Sequence, residues 1–368
     1  MYSKLLAEAL AADGADVVVA TEAFPNTERL QRICLGSGTL TVDRLFPLRA
    51  GGEGRNWRTY VAYAWQNVLV FCLPRRLARA IRETGADRVV VLVHCGFFFY
   101  PNLMRFVLGR MRRQLPYASR LIVDVRGRQW PDSLASTFAR FDAAIGCSQM
   151  ISERLRALLP GQVDVAHIPI PFEPGTPPDD KEVGGVLAEH GLGDTPYVLN
   201  PNGIRELKRY PEMLEVVREL RRIPGHEDTI LVTIGPARDW KTRDDAAVAE
   251  GLLKYVGVVP NRAALALAKG AKATLILSPV EGMPRSALET LGLGKPIVAP
   301  PISEFVEHIP SSVSQSDNPG DIARQIVCVS EKPAGERYPL EIHSTASLVA
   351  AYRALEPGVT AKPGVGLN

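Results

Sequence analysis

The chain has 368 residues, 46% of them hydrophobic and 23% charged, with a formal net charge of +3. That length exceeds one ordinary core and predicts two domains, and the near-neutral charge argues against nucleic-acid binding as the main role. Cys34, Cys72, Cys95, Cys147 and Cys328 lie far apart with no CxxC pair, which argues against a disulfide framework or zinc site and for a reducing cytoplasm.

The first residues carry no signal-peptide pattern. Leu5, Leu6, Ala9 and Leu10 give Tyr2 to Ala12 a helical apolar face, and Asp16 to Ala20 reads as a short buried strand. Arg58 to Leu73 predicts a helix that Pro74 breaks or kinks. The uncharged runs 59–74 and 89–104 fall short of a membrane span and read as a buried helix and a core strand with its loop. Strands follow at Arg88 to Val93, Leu121 to Val125, Ala143 to Cys147 and Val163 to Ile168. Apolar runs separated by helices predict a parallel sheet covered on both faces. Between 105 and 128, seven arginines face Asp124 alone, with apolar residues interleaved among the first of them. Such a segment reads as an ordinary outer helix or as a peripheral contact with an anionic membrane at its inner surface.

Pro171, Pro174, Pro177 and Pro178 predict a domain boundary, because such a run continues neither a helix nor a central strand. The second half repeats the α/β rhythm, with strands near 197–200, 230–234, 255–259, 273–278 and 296–299. Pro211 opens a helix whose apolar face is Met213, Leu214, Val217 and Leu220, and Asn261 is expected to cap the next one. A last helix spans Ser344 to Leu355. The pairs Asp179-Asp180 and Asp244-Asp245 read as solvated loop or helix start, not as a metal site.

The most informative stretch is 278–300, SPVEGMPRSALETLGLGKPIVAP. A strand ends at Ser278, a Pro/Gly turn follows, and a short helix begins near Pro284. That turn brings backbone N–H groups and a helix N-terminus to the carboxyl end of a parallel sheet, where a diphosphate would sit. Glu281 and Glu289 stand eight positions apart, one able to hold sugar hydroxyls and the other ribose hydroxyls. Glu289 alone would read as an ion pair with Arg285 one helical turn away. Together with Glu281, the turn and Gly294-Lys295-Pro296, it reads as a site.

This stretch resembles the segment of glycosyltransferase family 4 in which two glutamates are separated by seven residues. The matching features are both glutamates, Gly282 and the Gly-Lys-Pro exit. Residues 254–268 resemble the family's strand and loop that hold the nucleobase, which implicates Val258. Residues 199–217 resemble its phosphate loop: Lys208 falls on the lysine position, while Asn202 or Gly203 stands where the family has arginine, leaving Arg205 or Arg209 to reach the phosphates. The basic start of the following helix opposes its dipole, and a bound anion would explain it. The resemblance implies a GT-B fold, with two Rossmann-like domains facing a central cleft. An acceptor-side domain would span 1–172, with helix 344–356 packing back on it. A linker would span 173–194 and a nucleotide-sugar-binding domain 195–343. It further implies donor binding by Gly282, Met283, Arg285, Ser286 and Glu289 and a catalytic role for Glu281. Asp124, Arg126 and Gly127 end a strand where many relatives carry a histidine, so Arg126 and His94 are the candidates from the first half. Relatives also begin with a strand ahead of the helix that opens this chain, so the first strand is expected to be missing.

The leading reading is a retaining transferase moving a sugar from a nucleotide-sugar donor to a glycan, lipid-linked or small-molecule acceptor. Front-face attack with the leaving phosphate as base needs no protein nucleophile, and helix dipole, lysine and arginine replace a metal, so no cofactor is expected. The second reading is a non-catalytic sugar-nucleotide binder or partner subunit on the same fold. The glutamate spacing argues against a third, an epimerase.

Overall fold

The computed structural model describes residues 2–22, 30–35, 37–46, 75, 78, 79, 81–83, 89–94, 101–114, 119–126, 130–279, 281–331 and 336–356. The helix expected at 58–73, Gly127 and Arg128 lie outside them.

The first half opens with helix α1 (Tyr2–Ala12) and strands β1 (Asp16–Glu22), β2 (Leu30–Leu35) and β3 (Gly38–Phe46). β3 lies between the others, parallel to β1 and antiparallel to β2. The β2–β3 pairing was not expected, although Leu40 and Val42 alternate with Thr41 and Asp43 at the period of a half-buried strand. There follow β4 (Val89–His94), α2 (Pro101–Gln114), β5 (Ser119–Val125), α3 (Ala135–Phe138), β6 (Ala143–Gly146), α4 (Gln149–Leu158) and β7 (Asp164–His167). These four strands form a parallel sheet in the order β4-β5-β6-β7. Residues of β5 pack alternately into two cores. Leu121 and Val123 meet Val107 and Leu108 of α2 and Ile151 of α4, while Ile122 joins Leu6 of α1. Burial on both faces explains why the strand reads as an unbroken apolar run.

The second half contains α5 (Asp180–Glu189), β8 (Tyr197–Asn200), α6 (Tyr210–Leu220), β9 (Ile230–Ile234), α7 (Thr242–Ala249), β10 (Leu253–Gly257) and α8 (Asn261–Gly270). It continues with β11 (Thr274–Leu275), α9 (Arg285–Gly292), β12 (Ile297–Val298), α10 (Ser303–His308), α11 (Pro319–Glu331) and α12 (Thr345–Arg353). The sheet is parallel in the order β10-β9-β8-β11-β12. The chain thus builds outward from β8 through β9 to β10, then returns to the other side of β8 with β11. This reversal opens a crevice at the carboxyl ends of β8 and β11, where open α/β sheets bind ligands.

Several local readings change. Within the stretch read as linker, residues 180–189 form α5, started by a reciprocal cap: Asp179 accepts from the Glu182 amide and Glu182 from the Asp179 amide, each at 2.8 Å. Val186 and Leu187 then pack with Leu267 of α8. Asn261 does not cap α8 but is its first residue, and its side chain turns to Glu289 instead. At the end of the chain, Ser344 caps α12, whose Leu348 and Tyr352 pack with Leu6 and Ile145 of the first half.

Candidate functional site

Two loops reach the crevice, after β8 and after β11. The first leaves β8 at Asn200, whose buried amide donates to the Gly203 carbonyl at 3.0 Å and accepts from the Asn202 N–H at 3.0 Å. Gly203 has a φ of 72°, and a Cβ there would fall within 3.0 Å of the Pro236 carbonyl oxygen, so the loop closes on β9 only without a side chain. Its N–H donates to the Ile234 carbonyl at 2.8 Å. One 3₁₀ turn, Glu206–Lys208, follows, and then Arg209 with a φ of 56°. A non-glycine residue in that region is strained; here Glu212, at 3.2 Å, and Asp317 both hold its guanidinium.

The second loop leaves the buried Ser278 and turns through Glu281 and Gly282 into α9. Met283 is in the core with Leu288 and Phe305, which anchors the turn. Pro284 caps α9 without a side-chain acceptor, so the first amides of the helix have no side-chain cap. Gly282 is buried against the first half: a Cβ there would lie within 3.0 Å of the Arg126 carbonyl oxygen and the Cys147 sulfur.

Because β8 and β11 are neighbours, these loops meet. Lys208 Nζ lies 2.5 Å from Glu281 Oε1, a contact between residues 73 positions apart, with side chains only 24% and 15% exposed. On the same two loops three buried polar atoms have no hydrogen-bond partner among the described residues: Asn202 Nδ2, Arg205 Nε and Ser278 Oγ. Each can donate a hydrogen bond, and buried donors without acceptors are uncommon. Glu289 accepts from Arg285 Nε at 3.0 Å and from Asn261 Nδ2 at 3.3 Å. The i,i+4 pair with Arg285 therefore forms, but it is joined to the first turn of α8. Ser286 accepts from Thr290 Oγ1 at 2.9 Å through its carbonyl. Val258 follows β10 and is 78% exposed. Lys295 stands just before β12, at the amino end of that strand, so the Gly-Lys-Pro exit lies away from the carboxyl-end crevice.

The first half meets the second loop at Arg126, whose carbonyl oxygen faces Gly282. Asp124 is 1% exposed and accepts from Arg126 Nε at 2.8 Å, with a second contact from Nη2. His94 ends β4 in register with Asp124, and its side chain lies outside the described residues. Burial, then the Asp124 charge, push the Cys147 thiol up to about 12, so it is no thiolate nucleophile. In the basic segment, Arg105 reaches Ser136, Arg112 reaches Asp142 at 2.9 Å, and Arg120 reaches Asp164. Arg110 lies 5.8 Å from the Phe106 ring. No helix among the described residues is long and apolar enough to cross a membrane. Among those residues no group of three His, Cys, Asp or Glu is placed to hold a metal ion; Asp244 instead accepts from the Lys241 amide at 2.7 Å.

Sequence reasoning missed a junction behind the crevice. Glu304, on α10, accepts from the Gln149 amide at the start of α4 at 2.7 Å and lies 3.2 Å from His167 Nε2 at the end of β7. Burial raises this carboxyl, but the His167 and Gln149 contacts outweigh it and hold it below the usual range. His343, fully buried nearby, contacts the Ile170 carbonyl at 2.7 Å and the Tyr338 hydroxyl at 2.9 Å, and burial lowers its pKa. Four separate segments meet here, and no local pattern announces it.

No family model matches this chain, and neither does any curated protein. Solved structures do. The sucrose-phosphate synthase of Thermosynechococcus elongatus has a TM-score of 0.62 at 16% identity, covering 96% of this chain and 91% of that one. The trehalose-6-phosphate structure from E. coli bound with UDP-2-fluoro glucose has 0.60 at 13% identity, covering 95% and 91%. A UDP-forming alpha,alpha-trehalose-phosphate synthase of Burkholderia xenovorans in complex with glucose-6-phosphate has 0.58 at 11% identity, covering 95% and 94%. The chain has the same GT-B fold, with Rossmann-like sheets in both halves.

Proposed function

We propose that the chain is a retaining glycosyltransferase that takes a sugar from a nucleoside-diphosphate donor held by its second half. The observation that carries this is the meeting of Lys208 and Glu281 at the strand reversal, with the unpartnered donors of Asn202, Arg205 and Ser278 on the same two loops. A diphosphate is the ligand that such donors, an ammonium and a helix N-terminus accommodate together. Glu289, tied to the start of α8, is placed for the ribose, and Val258 for the base. The glutamate spacing supports a family 4 type of site. The solved neighbours, carrying UDP-2-fluoro glucose in one case and glucose-6-phosphate in another, support a UDP-sugar donor and a small sugar or sugar-phosphate acceptor.

In this reading the domains are 1–172 with 344–356, and 195–343, and the acceptor enters along the first half beside Arg126. Its hydroxyl oxygen bonds to the anomeric carbon on the face from which the diphosphate departs. The bond from that carbon to the phosphate oxygen breaks, and the leaving phosphate takes the acceptor's proton. Lys208 and the first amides of α9 stabilise the charge that collects on the diphosphate. Glu281 holds hydroxyls of the transferred sugar.

The test is release of UDP from UDP-glucose, with glucose or glucose-6-phosphate as acceptor. Acceptor-dependent UDP release is the expected result. A thermal shift by UDP-glucose without release under any acceptor would make the chain a binder, not a transferase.

A further inference from the structure

The two groups that serve different parts of the donor in the reading above hold each other: Lys208 Nζ is 2.5 Å from Glu281 Oε1. They come from separate loops, so the pairing is not a by-product of local helix geometry. Lys208 ends a 3₁₀ turn after β8 and Glu281 stands in the turn after β11, both resting on the carboxyl ends of neighbouring strands. The neighbouring cation has other partners. Arg209 is held by Glu212 and Asp317, on the side of α6 and the loop before α11. Glu289 is likewise held apart, by Arg285 and Asn261.

We propose that Glu281 is a built-in competitor for the donor's diphosphate, which must displace it from Lys208 before the carboxylate is released to the transferred sugar. This rests on the donor-site reading above. The carboxylate occupies the ammonium's coordination and carries the same sign of charge as the incoming phosphates. A nucleoside diphosphate therefore meets two costs at once: a broken ion pair and a nearby like charge. A whole donor recovers part of that cost, because the displaced carboxylate gains sugar hydroxyls as partners. Free product does not. The arrangement favours donor over product at one site and helps expel the nucleoside diphosphate after transfer.

The consequence runs against ordinary expectation for a binding-site residue: neutralising Glu281 should tighten product binding while slowing turnover. The experiment is isothermal titration of UDP, GDP and uridine into the full chain and into Glu281→Gln, with far-UV circular dichroism to verify folding. Glu281→Gln should bind UDP roughly three- to tenfold more tightly, a range set by a partly buried ion pair and one like charge. Uridine, lacking phosphates, should bind both chains alike. Lys208→Ala combined with Glu281→Gln should lose the gain, since no ammonium is left to release. Equal or weaker UDP binding by folded Glu281→Gln, beside ordinary binding by the native chain, overturns the competitor role and leaves the donor site standing. Native chain that binds neither UDP nor GDP overturns the donor reading itself and this inference with it.

Discussion

The two rims of the crevice are built differently. On the second-half rim, donors lack acceptors, as at Asn202, Arg205 and Ser278, and the central ion pair joins side chains from different loops. On the first-half rim, Asp124 pairs with Arg126, two residues on in the chain. This difference fits the proposed division of labour, in which the second-half rim takes the donor's anion and the first-half rim supports the frame.

The largest effect should come from forcing the rims apart. Gly282→Val would drive a side chain into the Arg126 carbonyl oxygen, which cannot yield without moving β5's end. Overpacking of this kind costs about 1–3 kcal/mol, read by denaturant unfolding, and turnover should fall because the same turn carries Glu281. Unchanged stability would show that the two rims do not depend on this contact. Lys208→Ala sharpens the comparison by charge. It should weaken UDP by about 1.5–3 kcal/mol, the range for a hydrogen bond to a charged group, and leave uridine untouched. A uniform loss for both ligands would mean the loop itself is damaged.

Glu289→Ala removes acceptors for ribose hydroxyls and should weaken UDP and uridine together, on the order of 1.5 kcal/mol. Loss for UDP alone would move Glu289 from the ribose to the phosphates. The smallest effect belongs to the frame. His343 is neutral when buried, its pKa lowered from 6.5, so the unfolded chain binds a proton that the folded one does not. Stability should therefore begin to fall as the pH drops through 6.5, by no more than about 1.4 kcal/mol per pH unit for one group. Glu304 adds to the loss at lower pH, as its carboxyl is protonated below its ordinary 4.5. His343→Asn should flatten the first slope; an unchanged slope would assign it to another group.

Periodicity made α1, β4 to β7 and the Pro211 helix legible, because burial on one stripe or on both faces leaves a pattern in the chain. Turn chemistry pointed to Glu281 and Gly282. The sequence could not show that Lys208 touches Glu281, since that depends on β11 lying beside β8, an adjacency that chain order hides. Nor could it show Gly282 pressed on Arg126, or Glu304 on Gln149, which join segments more than 150 residues apart. Arg126 was read as a donor contact, and its buried partner Asp124 was in view. Two positions apart on a strand, the two side chains share a face. Asn261 was misplaced by one residue, enough to turn a cap into a ligand of Glu289.

Native-state hydrogen exchange with and without saturating UDP-glucose tests the division of labour most directly. The account predicts slowed exchange concentrated at amides 203–209 and 282–287, the loops after β8 and β11, with little change at Asp124 and Arg126. Protection confined to the first half, or spread evenly over both sheets, would contradict a donor site built by the second-half rim.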